Sequence, residues 1–306
     1  MAFASVQRVI EEAGTVILGK ERQIRLALAC LLARGHLLIE DMPGVGKTML
    51  AHALARLLGL NFHRIQFTSD MLPADIIGIS VYDREVGGFK FHPGPIFAQL
   101  ILADEVNRAT PKTQSALLEA MEEHQVTAEG ETRRLPEPFF VVATQNPSHQ
   151  VGTFPLPESQ LDRFLMRLEL GYPDHDAERS LLKGVERRDL IATLDPCIPP
   201  GELAELQASV RTVHVAGALF DYIQALIEYT RRSPDFMTGL SPRAGLALLQ
   251  SSRAWALLEG RDKVLPEDVQ AVLPGIAGHR LRPVHNGVRR SSMETAANLI
   301  SAVPIP

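Results

Sequence analysis

The sequence is short of cysteine, of tryptophan and of surplus positive charge, and the shortages of cysteine and of charge each close off a class of protein. Of 306 residues only two are cysteine. Cys30 and Cys197 lie in no Cys-x-x-Cys or histidine-rich pattern, so neither a disulfide framework nor a zinc site is expected and both are read as reduced thiols. The 31 Lys and Arg against 36 Asp and Glu leave a formal charge of -5, which supplies no excess of cations to neutralise a phosphate backbone. No nucleic-acid partner is expected. The longest apolar run, around Ile96 to Ala103, is far below the roughly 20 residues of a membrane-spanning helix, so membrane insertion is not expected either. Residues Met1 to Arg8 lead into Glu11-Glu12 before any apolar stretch develops, unlike a secretory signal. A cytoplasmic protein is the resulting expectation. There is no tandem repeat and no low-complexity segment. What remains is 45% hydrophobic and 22% charged, the balance of a globular chain, long enough for one larger and one smaller domain.

The first half alternates strand and helix signals. Leu37 to Glu40 is a short apolar run that ends in a glycine-containing loop, after which Met49, Leu50, Ala53, Leu54, Leu57 and Leu58 recur at helical spacing up to Gly59. Phe62, Ile65 and Phe67 mark a second strand, and Gln99 to Ala103 a third whose unbroken apolarity suits a parallel strand buried on both faces. Thr110-Pro111 reads as N-cap and first-turn proline of a helix carrying Leu117, Leu118 and Met121 on one face, with an acidic, solvent-facing tail from Glu119 to Glu123. Gln125 to Leu135 reads as a polar hairpin turning at Ala128 to Glu131. Phe139 to Ala143 and Phe164 to Leu170 are the fourth and fifth strands, with a short helix opening at Leu156 to Ser159 between them. This pattern predicts a parallel sheet with helices on both faces. After the proline-rich stretch Asp195 to Gly201 only helical segments follow, at Val215 to Arg232, Ser241 to Glu259, Pro266 to Leu273 and Arg290 to Ser301. An α/β core over residues 1–195 and an all-helical domain over 196–306 are therefore expected.

Chemistry concentrates at the ends of the strands. In Gly44-Val45-Gly46-Lys47-Thr48, small residues let successive N–H groups curl round a phosphate at a helix N-terminus. Pro43 to Met49 are thus candidates to hold a nucleotide, with Lys47 on its β and γ phosphates. The strict Gly-x-x-x-x-Gly-Lys-Ser/Thr pattern asks for glycine at position 41, where this chain has Asp41. Thr48 and Asp104 are candidates for Mg²⁺, a hard cation that keeps waters and takes few protein ligands. Asp104-Glu105 closes the third strand at the rim where open α/β sheets bind ligands; such a pair is an ordinary solvated strand end unless a phosphate loop precedes it. Glu105 is then placed to orient and polarise an attacking water. Asn146, after Val141 to Gln145, offers an uncharged amide to that water or to the γ-phosphate, although Asn146-Pro147 alone reads as a turn. Arg163 and Arg243 are each unremarkable singly, but phosphoryl transfer gains from arginines that a neighbouring subunit can supply. His36, His63, His92, His124 and His149 lack metal-ligand spacing and are read as packing or surface residues. Trp255, alongside Leu248, Leu249 and Leu258, is read as core.

In this order the loop, the Asp-Glu strand, the Asn strand, Leu161-Asp162-Arg163-Phe164 and Gly239-Leu240-Ser241-Pro242-Arg243 resemble the Walker A, Walker B, sensor 1, arginine finger and sensor 2 of AAA+ ATPases. Glu40 to Thr48, Pro93-Gly94-Pro95-Ile96-Phe97, Ala103 to Ala109 and Thr113 to Met121 narrow the resemblance to the MoxR family, over roughly residues 5 to 285. Asp41 suits that family's pattern. The resemblance implies a P-loop sheet of strand order 5-1-4-3-2 with a helical lid, ATP and Mg²⁺ bound between subunits of a ring that is usually hexameric, and Arg163 acting in trans. It leaves open whether Arg243 serves its own nucleotide or the neighbour's. It further implies two insertions, one within Ile76 to His92 and the other the hairpin Gln125 to Leu135, where a client protein is gripped, and association with proteins that carry a von Willebrand factor A domain. The leading expectation is an ATPase that remodels or matures a partner protein. Two others compete. A DNA-handling motor of the minichromosome maintenance type shares the insertions, but the hairpin offsets Arg133 and Arg134 with Glu129 and Glu131. A nucleotide-gated module that does not hydrolyse would have no use for Glu105.

Overall fold

The computed structural model describes residues 2–85, 87–146, 152–184, 187–199, 201–284 and 291–305. Pro147, His149, Pro200 and Arg290, all within motifs or segments singled out above, lie outside the described residues. The strands are β1 (Leu37–Glu40), β2 (Phe62–Gln66), β3 (Gly78–Asp83), β4 (Gly88–Pro93), β5 (Leu100–Asp104), β6 (Gln125–Ala128), β7 (Glu131–Arg134), β8 (Phe140–Gln145) and β9 (Met166–Leu168). Five of them form one parallel sheet in the order β2-β5-β8-β1-β9. Numbered as the five core strands alone, that is 5-1-4-3-2, the expected order.

The sheet stands because its strands alternate between two apolar layers. Leu37, Ile39, Leu100, Leu102, Val142 and Met166 belong to one buried cluster, while Leu38, Ile101, Ala103, Val141 and Ala143 belong to the other, with Leu117, Leu118 and Met121 of the helix Pro111–Glu123. Period-two alternation sends neighbouring residues to opposite faces. Each buried Leu, Ile or Val contributes about 1.5–3 kcal/mol relative to leaving it exposed. Edge strand β2 differs, with His63, Arg64 and Gln66 exposed, and that polarity becomes useful at the site.

The insertion expected within Ile76 to His92 is a hairpin of β3 and β4, and the second hairpin pairs β6 with β7. Gly78 has φ of 108°, and a Cβ there would lie 2.3 Å from the carbonyl oxygen of His92, so glycine is required where the first hairpin departs. The two hairpins touch. The Ser80 amide donates to Glu129 Oε1 at 3.2 Å, and the Arg133 guanidinium sits 3.8 Å over the Phe91 ring. Beyond this contact Tyr82 and Phe89 meet edge to face, with Phe89 77% exposed.

After residue 201 the described residues form the helices Glu202–Thr212, Gly217–Arg232, Pro242–Leu258, Pro266–Ala277 and Ser292–Ala302, and no named strand. The first of these was not anticipated, although Leu203, Leu206, Gln207 and Val210 are its buried residues at helical spacing. Trp255 is partly buried against the core and both thiols are buried and free, as expected. Arg280 fastens the helical part to the sheet. Its side chain is only 6% exposed and donates to Asp162 Oδ1 at 2.6 Å and to the carbonyls of Phe164 and Leu165, an enclosure that draws its pKa down while Asp162 opposes the shift. No helix of the described residues is long and apolar enough to cross a membrane.

Candidate functional site

The loop after β1 is shaped by glycine and pinned by an aspartate. Gly44 and Gly46 have φ of 88° and 96°, the left-handed region that side chains rarely adopt. Asp41, the residue that departs from the strict loop pattern, has a structural task. Its Oδ2 accepts the amides of Leu170 and Gly171 at 2.7 and 2.6 Å, and its Oδ1 accepts that of Met42 at 2.7 Å, tying the loop entrance to the chain just beyond β9. Lys47 begins the helix Lys47–Leu57, and its Nζ donates to the Asp41 carbonyl at 2.6 Å and to Asn146 Oδ1 at 3.0 Å. Burial lowers the pKa of Lys47, with Asp41, Asp104 and Glu105 pulling the other way. A desolvated ammonium beside a ring of amides is a receptor for a multiply charged anion.

Across from it stands the acidic tip of β5. Asp104 Oδ1 accepts Thr144 Oγ1 at 2.6 Å, and its Oδ2 accepts Arg64 at 2.6 Å. Glu105 adopts φ of 57°, its amide donating to Thr144 Oγ1 at 2.9 Å. Its Oε1 accepts Asn146 Nδ2 at 3.1 Å; its Oε2 accepts Gln66 Nε2 at 3.0 Å and Arg108 Nη1 at 2.9 Å. The Asn146 amide thus bridges Lys47 and Glu105. Pro43, Gly44, Gly46, Lys47, Thr48, Met49, Asp104, Glu105 and Asn146 line a common cavity of about 320 Å³. Val45 is the one expected loop residue outside that lining; its side chain packs on the apolar cluster.

The two arginines are elsewhere. Neither Arg163 nor Arg243 lines the loop cavity; both line a second one of about 300 Å³ with Arg34, His36, Asp162 and Arg280. Arg163 Nη1 donates to the Leu118 carbonyl at 2.7 Å, and its Nη2 lies 3.1 Å from Glu122 Oε2. Arg243 Nη2 lies 2.8 Å from Glu122 Oε1. Glu122, part of the acidic tail expected to face solvent, is exposed and is also paired twice, because the fold brings both guanidiniums to the end of its helix.

Residues 36–166 match the model of the ATPase family associated with various cellular activities (AAA), and residues 228–300 match the AAA lid domain. An uncharacterised protein of Bacillus subtilis, YeaC, is 45% identical over 98% of this chain and 94% of its own length. Chaperone MoxR1 of Mycobacterium tuberculosis is 40% identical over 90% of this chain and 75% of its own, and protein MoxR of Paracoccus denitrificans 34% over 95% and 93%. A crystal structure of an inferred ATPase from Cytophaga hutchinsonii superposes with a TM-score of 0.90 at 36% identity, covering 100% of this chain and 96% of that one. The chain belongs to the MoxR family of AAA+ ATPases.

Several residues of this MoxR site escaped the sequence reading. Arg64 and Gln66 brace Asp104 and Glu105 from β2, where Gln66 is in register with Asp104. A signal existed: polar residues at i and i+2 of a strand share one face, and that face borders the acidic tip. Thr144, one residue past the strand expected at Phe139 to Ala143, is buried, and a buried hydroxyl requires a partner. Glu122 and Arg280 carried no local signal, since their partners lie 41 to 121 residues away.

Proposed function

We propose that the chain hydrolyses ATP at sites shared between neighbouring subunits of a ring and uses the cycle to remodel a partner protein. The observation that carries the hydrolytic reading is the Asn146 amide held between Lys47 and Glu105, which sets a cation for the β and γ phosphates opposite a carboxylate for water. Glu105 accepts a hydrogen bond from the attacking water and polarises it; the water oxygen bonds to the γ-phosphorus as the bond to the β,γ-bridging oxygen breaks, releasing phosphate and ADP. Lys47 and the loop amides carry the charge that moves onto the bridging oxygen. The donors near the phosphates fit Mg²⁺. Thr48 offers a hydroxyl and Asp104 a carboxylate, a sparse set suited to a cation that keeps its waters and, when bound, screens the phosphate charge.

The shared site is supported by the separation of the two cavities. Arg163 and Arg243 are gathered away from the loop of their own chain, so in this reading both serve a neighbour's γ-phosphate. A hexamer is the ring size proposed. The division into residues 1–195 and 196–306 belongs to the same proposal, supported by the change from α/β to helical structure. The client is proposed to be a protein, in keeping with the name of the mycobacterial chaperone, and to meet the exposed Tyr82 and Phe89 at the tip of the first hairpin. A partner with a von Willebrand factor A domain and a cytoplasmic setting complete the proposal. The DNA-motor alternative is disfavoured by the second hairpin, where Glu131 pairs with Arg133.

The test is direct. Glu105→Gln is expected to keep ATP and magnesium bound and to stop phosphate release; turnover within about twofold of the parent would remove Glu105 from this role. Mixing Arg163→Ala with Lys47→Ala protein is expected to restore part of the activity that each lacks alone.

A further inference from the structure

Glu122 has no part in the hydrolysis described above, yet it holds together the two residues proposed to act in trans. One carboxylate oxygen takes Arg163 and the other takes Arg243, at 3.1 and 2.8 Å. The two arginines come from unrelated elements. Arg163 follows the short helix Glu158–Leu161, whereas Arg243 lies in the first turn of Pro242–Leu258. The other carboxylate nearby is committed elsewhere: Asp162 is 2.6 Å from Arg280 and only within 4.0 Å of Arg243.

We propose that Glu122 is a positioning residue whose carboxylate yokes Arg163 and Arg243, so that both guanidiniums reach one phosphate of the adjoining subunit together. The proposal rests on the shared-site reading. Two guanidiniums repel at close range unless a counterion lies between them, and Glu122 supplies it with one oxygen for each. Each guanidinium carries five N–H groups in a rigid fork. Arg243 donates one to Glu122, while Arg163 donates one to the Leu118 carbonyl and pairs with Glu122 through its charge, so donors remain on both for a phosphate. Arginine also has much rotamer freedom to lose, and a pair already oriented loses less of it when a neighbour's nucleotide arrives. The side chains of Glu122, Arg163 and Arg243 are 36%, 30% and 52% exposed, so solvent screens these pairs and the yoke contributes little to folding stability. Its effect belongs to turnover.

The test places Glu122→Gln on one side of the shared site at a time. In the Lys47→Ala plus Arg163→Ala mixture, the sites that work hold nucleotide in the Arg163→Ala subunit and receive arginines from the Lys47→Ala subunit. Glu122→Gln added to the Lys47→Ala protein is expected to lower kcat about tenfold, a modest share of what an arginine finger supplies, with KM for ATP within about twofold. Added to the Arg163→Ala protein, it is expected to change neither. Loss on the wrong side, equal loss on both, no loss, or a gain in turnover would each overturn the yoke. Ring assembly by sedimentation and the thermal midpoint accompany every protein, and Glu122→Asp, one methylene short, is expected to show the same one-sided loss. If the parent mixture fails to complement although both proteins assemble, the shared-site reading falls first and the yoke with it, a result distinct from a yoke that fails in a mixture that does complement.

Discussion

The loop cavity and the arginine cavity have nearly the same volume, about 320 and 300 Å³, and opposite construction. The first is built at the rim of one sheet from consecutive strand ends, each functional group braced by the strand beside it. Glu105 has partners from β2, from Asn146 and from Arg108, and Lys47 from the loop and Asn146. The second collects side chains from the turn at Ala33 to His36, the helix end at Glu122, the loop before β9 and two places in the helical part, the helix Pro242–Leu258 and Arg280. Its lining brings Arg34, Arg163, Arg243 and Arg280 against Glu122 and Asp162, a surplus of cations that calls for an anion from outside. In the proposed reading one region binds the phosphates of its own chain's nucleotide and the other serves a neighbouring subunit.

The largest effects would break that division if it is wrong. Lys47→Ala is expected to weaken ATP binding roughly tenfold to a hundredfold, because a charge-assisted hydrogen bond in a desolvated site is lost. Arg163→Ala is expected to leave binding to the isolated chain within about twofold while lowering kcat by about a thousandfold, the low end of what an arginine finger supplies. Titration with a fluorescent ATP analogue separates the two. If Arg163→Ala weakened binding as much as Lys47→Ala does, the arginine would belong to its own chain's nucleotide.

Next in size is a pH effect confined to the arginine side. His36 lies beneath that cavity, 5% exposed, accepting the Val141 amide at Nδ1 and donating from Nε2 to the Met121 carbonyl, each at 3.0 Å. Both ring nitrogens are satisfied only in the neutral form. Burial lowers the pKa of His36 from 6.5 to about 4. Between those values the unfolded chain binds the proton and the folded chain does not, so stability is full above pH 6.5 and is lost as pH falls towards 4, by about 3 kcal/mol in all. His36→Asn keeps an acceptor for the Val141 amide and cannot titrate. Its thermal midpoint is expected to start lower and to fall less steeply from pH 6.5 to 4.5; an unchanged slope would show that His36 is not the group responsible.

The same division explains what could be read from the sequence. The core strands, the glycine loop and the polar strand ends at Asp104, Glu105 and Asn146 are legible because each is encoded locally, by an apolar run or by a glycine and a lysine at fixed spacing, whereas the strand order came only with the family resemblance. Arg163 and Arg243 could be named as candidates but not placed, because nothing within a few residues of either states what it faces. Glu122 is exposed as expected, but its two partners were not legible for that reason. In a run that ends Met121-Glu122-Glu123 a carboxylate at a helix end is ordinarily solvated, and only the crossing of Pro242–Leu258 past that end turns it into a bridge. Asp41 is the reverse case, conspicuous as a departure from a pattern while its partners, the amides of Leu170 and Gly171, are invisible until the fifth core strand is in place. Asp41→Ala leaves those amides without their carboxylate and is expected to cost about 2 kcal/mol, read as a lower thermal midpoint without added nucleotide.

The smallest expected effect concerns a third region, the hairpins, which belong to neither cavity. If they project as one body, the Arg133 guanidinium over Phe91 and the Ser80 amide on Glu129 hold them together. A cation over an aromatic face at a partly exposed position contributes about 0.5–1 kcal/mol. Phe91→Leu keeps the apolar bulk and removes the ring, so amide exchange at β3 and β4 is expected to quicken by about twofold to fivefold while the helix Lys47–Leu57 exchanges as before. Adding Arg133→Ala to Phe91→Leu is then expected to cause little further change in the first hairpin, since the pair is already broken. Independent, additive effects of the two substitutions would mean that the hairpins move separately, and a client gripped by Tyr82 and Phe89 would then be held by the first hairpin alone.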